Sequence, residues 1–207
     1  GTFVASGTAN LPRPDVVVAL TDPSTDSVEA LALGVMARDA MLQHGLFIGM
    51  SDDEAARLLR EGMALAERLP DVFPRVRLLL RLATRKGLTG APEESRLHAE
   101  EALALADRSG NQLLQFLARF SLQAALFNRG RLRETLARMA EAETLCGSDP
   151  EFAAEYTGFR PYGLLLNGRA LCLLTLGDGD AGAHQLELTM GISRARKDHE
   201  LLVIGCG

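Results

Sequence analysis

The sequence predicts an all-α chain of stacked antiparallel helix pairs, an α-solenoid, and three observations predict it. Gly45, Gly87, Gly130 and Gly177 each close an apolar, helix-patterned run, 42, 43 and 47 residues apart. A period in this range marks a supersecondary unit that buries its hydrophobic face only against copies of itself. Second, Gly62–Arg68 aligns with Ala102–Arg108 at a shift of 40, with four of seven residues identical, and the small residues there let helices approach closely. Third, Ala, Leu, Arg and Glu dominate while aromatics are 5% and Trp is absent. These residues lose little side-chain freedom in a helix.

Residues 1–24 stand outside the repeat, which occupies 25–207 as about four helix pairs and half of a fifth. The opening is small and polar, and Thr21–Ser27 is rich in turn formers. Between them, Val16–Leu20 is a strand, a helix stub or an extended strip packed on the array. A first helix over 27–44 leads through the Gly45–Met50 turn to Ser51 and Glu54, which have capping-box spacing. The second, 52–69, stops at Pro70. The third starts near Pro74 and ends at Gly87, and the fourth starts at Gly90-Ala91-Pro92 and ends at Gly110.

A fifth helix spans 111–129 and a sixth 132–146. The seventh is long, 150–176, and Pro161 within it removes a backbone donor, so the helix kinks or starts afresh there. An eighth covers 181–197. The ninth begins at His199 and is still apolar at Leu201–Ile204, half of another pair, so the sequence is expected to be a fragment of a longer array.

Net charge is −5 and the pI is about 5.4, without the electrostatic footprint of a nucleic-acid or anionic-membrane binder. Lys86 and Lys197 are the only lysines among 22 basic residues, a bias expected of a GC-rich bacterial gene. Cys146, Cys172 and Cys206 are far apart and form no CxxC pair, which fits a reduced cytoplasmic setting. No apolar stretch approaches the roughly 20 residues of a membrane span, and the opening residues lack a charged n-region followed by an apolar h-region, so a soluble protein without a secretion signal is expected.

The turn Asn128–Glu134 and the small residue Ala142 resemble the tetratricopeptide (TPR) repeat in a degenerate, longer-period form, although Gln123 stands where Gly or Ala is usual. Leu46–Ala55, Glu61–Arg68, Gly158–Tyr162 and Leu171–Gly177 are similar to the C-terminal TPR-like region of large bacterial signalling regulators. In those proteins a class III nucleotide cyclase domain and a P-loop ATPase module precede the helical array. LuxR-type and MalT-like regulators carry similar arrays. The resemblance implies a right-handed superhelix and a non-catalytic interaction or regulatory module. It would bind a peptide, a partner domain or the ATPase and cyclase domains of its own chain, and the exposed terminal helices offer a homodimer surface. The alternative it implies is a small-ligand sensor with a pocket near Phe159, Pro161 and Tyr162.

No Walker-type phosphate loop occurs, and Gly177–Asp180 is an inter-helix turn whose aspartates repel anions. His44, His98, His184 and His199 lie in separate helices without ligand spacing, so no metal, cofactor or catalytic set is expected. The acid pairs Asp52-Asp53 and Glu93-Glu94 complement helix N-termini, and Glu100-Glu101 reads as a solvated face. Arg77, Arg81 and Arg85, at i, i+4 and i+8, form a stripe along the third helix, with Arg75 and Lys86 nearby. Guanidinium groups so placed grip carboxylates or phosphate, unless acids of the fourth helix neutralise them. Polar residues on first helices are the groove candidates: Arg38, Arg77, Arg81, Gln115, Arg119 and Asn167.

Overall fold

The computed structural model describes residues 27–147, 149, 151–157 and 160–196, and among these all regular structure is helical. The expectations for residues 1–24, Phe159, the ninth helix at His199 and Cys206 fall outside the described residues. The helices are α1 (Val28–Ile48), α2 (Asp52–Ala66), α3 (Phe73–Leu88), α4 (Pro92–Ser109), α5 (Gln112–Phe127), α6 (Leu132–Cys146), the single turn α7 (Ala154–Thr157), α8 (Pro161–Thr175) and α9 (Gly179–Arg196). The chain divides into two compact units, Gly1–Arg81 and Leu82–Gly207, and the division falls inside α3.

In the first unit α1 begins where the Ser27 hydroxyl accepts the Ala30 N–H at 3.4 Å. It then continues through Gly45, where a turn was expected, to Ile48. A glycine inside a helix costs only about 1 kcal/mol, and the space its side chain would need is taken by Met50, 2.8 Å from an ideal Cβ. The chain turns instead at Gly49, with φ of 80°. Ser51 caps α2 by accepting the Glu54 N–H at 3.2 Å. Leu31, Val35 and Leu42 of α1 pack with Leu58 and Leu65 of α2 and Leu78 of α3. Each such leucine contributes about 2 kcal/mol through burial.

The second unit takes up the last turns of α3, where Ala83 clusters with Ala99 of α4 and Leu122 and Leu126 of α5. Gly87 also lies within its helix, and an ideal Cβ there would stand 3.3 Å from the Ser95 hydroxyl. Gly90, with φ of 82°, makes the turn. Asn111 caps α5 by accepting the Leu114 N–H at 3.1 Å. Phe116 of α5 meets Phe152 edge-on at a centroid distance of 5.1 Å. The expected long seventh helix is two pieces, α7 and α8. Pro161 starts α8 because its missing N–H is one a first-turn residue does not use.

The turns within helix pairs are thus made by left-handed glycines at 49, 90, 130 and 177, spaced 41, 40 and 47 residues. A second register supports the same period. Gly62, Ala102, Ala142 and Gly182, 40 residues apart on α2, α4, α6 and α9, are all buried. A Cβ on Gly62 would press on Leu78 at 3.1 Å, and one on Gly182 on Leu174 at 2.6 Å. The absence of a side chain at Gly62 and Gly182 therefore lets the second helix of a pair receive a leucine from a first helix.

Candidate functional site

Asp39 organises the polar face of the first unit. It is one of few charged residues on an otherwise apolar α1, and its side chain is 4% exposed. Arg77 and Arg81, one turn apart on α3, both reach it. Arg77 donates from Nη2 to Oδ2, and Arg81 from Nε to Oδ1 at 2.9 Å. Arg81 also donates from Nη2 to the Gln43 Oε1 at 2.8 Å, and Gln43 lies one turn beyond Asp39. Arg77 and Arg81 of the arginine stripe are therefore held by an acid of α1, and Lys86, near the stripe, pairs with Glu94 of α4. Two guanidinium groups share this one carboxylate, and each arginine side chain is still 26% exposed.

Arg38, beside Asp39 in sequence, reaches α2 instead of α3. Its side chain is 2% exposed, with Nη1 donating to the Gly34 carbonyl at 3.0 Å and Nε to Glu61 of α2 at 3.0 Å. Arg57 donates to the other Glu61 oxygen at 2.9 Å. Burial pushes the Glu61 carboxyl up, but the hydrogen bonds and charges of Arg57 and Arg38 outweigh it and hold it below its ordinary value of 4.5.

In the second unit Arg119 of α5 repeats this arrangement. It donates to the Gln115 carbonyl at 3.2 Å, to Glu141 of α6 at 3.2 Å and to Asp107 at the end of α4 at 2.9 Å. Arg138 shares Glu141 at 2.9 Å. Gln115 and Asn167 are half-buried on α5 and α8. Near Pro161, Tyr162 donates to Glu143 at 3.4 Å and Arg169 pairs with the same carboxylate at 2.8 Å. Pro161 and Tyr162 are buried and fill the core.

Of the six groove candidates, the structure joins Arg77 and Arg81 through Asp39. It places Arg38 and Arg119 as bolts between helices. Sequence reasoning missed Asp39 and Gln43. The available signal was a lone aspartate in an apolar helix, spaced one turn from a glutamine. Among the described residues no three His, Cys, Asp or Glu side chains gather as a metal site would require, and no helix is long and apolar enough to cross a membrane. Comparison with protein-family models, curated proteins and solved structures returns no match.

Proposed function

We propose that this chain is a non-catalytic, TPR-like interaction module of a larger cytoplasmic bacterial signalling protein. In that reading its helix pairs continue as a right-handed superhelix and it binds a peptide or partner domain on its first helices, with occupancy biasing attached cyclase or ATPase domains. One observation carries the reading. Arg77 and Arg81 are fixed in direction by a buried carboxylate, and each side chain is still 26% exposed. Preorganised forks of this kind lose little freedom on meeting a second carboxylate.

The test is a fluorescence-anisotropy titration with a labelled peptide rich in Asp and Glu, against a peptide in which these are Asn and Gln. Binding of the acidic peptide that weakens with salt, and about tenfold weaker binding in Arg81→Ala, is expected. Equal affinity for both peptides, or an unchanged Arg81→Ala, would overturn the reading. A rise in melting temperature with a sugar or metabolite, and none with peptides, would favour the small-ligand sensor instead.

A further inference from the structure

Gln43 gives the arginine pair a direction. A guanidinium only donates, so the group that Gln43 turns to Arg81 is its carbonyl oxygen, 2.8 Å from Nη2. The amide nitrogen on the same carbon is thereby directed away from Arg81, and it too only donates. Both Asp39 oxygens are taken, Oδ2 by Arg77 and Oδ1 by Arg81. Arg81 uses Nε on Asp39 and Nη2 on Gln43, and its Nη1 on neither. Among the described residues the Gln43 and Arg81 side chains make no further hydrogen bond. Gln43 is half-buried, and its neighbour Arg81 keeps its partial exposure. What this place still has to offer is therefore a pair of donors, Gln43 Nε2 and Arg81 Nη1.

We propose that Gln43 is the specificity-determining residue of this site: its amide N–H and Arg81 Nη1 share one side-chain carboxylate of the bound peptide and reject a neutral amide in its place. This role rests on the acidic-peptide reading of the site and names the residue that tells acid from amide. A carboxylate accepts at both oxygens and never donates, so it satisfies both donors. An Asn or Gln side chain brings one oxygen and one NH2 group, and the NH2 group is left facing a donor. Charge on the arginines draws the acid in and is screened by salt. Gln43 is uncharged, so its share of the affinity is a contact that salt does not screen.

Two variants of the full chain, titrated with the same Asp/Glu peptide and its Asn/Gln counterpart, test this. Gln43→Glu keeps an oxygen for Arg81 and exchanges only the outward donors for an acceptor. It should bind the acidic peptide about tenfold or more weakly than the parent, and its preference for that peptide over the amide peptide should fall to about one. Gln43→Met removes the donors without adding charge. It should weaken the acidic peptide several-fold while the slope of affinity against salt stays that of the parent, whereas Arg81→Ala should lower both. An unchanged acid-to-amide preference in either variant, with Arg81→Ala still weakening the acidic peptide, would overturn the role of Gln43 and leave the acidic-peptide reading standing. A parent chain without preference for the acidic peptide would overturn both.

Discussion

Arg38 and Arg119, 81 residues apart, make the same two bonds: each donates from Nη1 to the carbonyl four residues earlier and from Nε to a glutamate of the following helix. Each glutamate is shared with a second arginine of its own helix, Arg57 or Arg138. A first helix and its partner are therefore fastened twice in the chain by one device, an arginine bolt through a shared carboxylate. Leu78, one period after Arg38, is fully buried instead and packs with the leucines of α1 and α2.

The bolt makes stability depend on acid. Because Glu61 is held below 4.5 in the folded chain, its contribution is complete above that pH and is lost as pH falls through the lowered folded value. Urea unfolding followed from pH 7 to pH 3 should show a steeper loss below pH 4.5 in the parent than in Glu61→Gln. The two curves should converge at the acid end, and parallel curves would contradict the assignment.

Asp39→Asn removes the charge that both Arg77 and Arg81 use while keeping the side chain's shape. A fully buried pair broken in this way loses about 3–5 kcal/mol, but both arginines reach solvent, and screening reduces the loss to about 2 kcal/mol. Equilibrium unfolding reads this directly. Arg81→Ala, which leaves Asp39 one arginine, should cost less than Asp39→Asn.

Gln123 is 5% exposed, and its Oε1 has no hydrogen-bond partner. Gln123→Leu keeps the volume and removes the unsatisfied carbonyl, so it should raise stability by about 1 kcal/mol. A lower melting temperature in Gln123→Leu would show that the amide is satisfied in solution.

Two glycines should fail for different reasons. At Gly130 nothing lies within 4 Å of an added Cβ, so Gly130→Ala acts only through the positive φ of 69°, at about 1 kcal/mol, and Gly130→Asn should recover part of it. At Gly182 an added Cβ would stand 3.1 Å from the backbone nitrogen of Leu174 as well as against its side chain. Gly182→Ala should therefore cost more, about 2–3 kcal/mol, with no relief from Asn. Thermal melts of the four variants give the order.

Helix content and helix pairing were legible because they rest on periodic apolar residues and on glycine, whose signals are local. The shift of 40 between Gly62 and Ala102 was equally plain, and it extends to Ala142 and Gly182. The turn positions were less so. Gly45 and Gly87 look like helix ends from sequence, but whether a glycine ends a helix depends on what packs against it, here Met50 and Ser95, and on a second glycine a few residues on. The site was half legible. The spacing of Arg77 and Arg81 follows from a single helix, whereas their partner Asp39 lies on another helix and is found only once α1 and α3 are side by side.

The left-handed glycines at 49, 90 and 130 also mark where this gene can be cut and rejoined. A recombination event joining the codon for Gly90 to that for Arg131 would delete one 40-residue block and still leave a glycine turn feeding a helix that starts two residues later. A duplication between the same points would add a block with its turn intact. Chain length can thus change in whole pairs without any helix being interrupted.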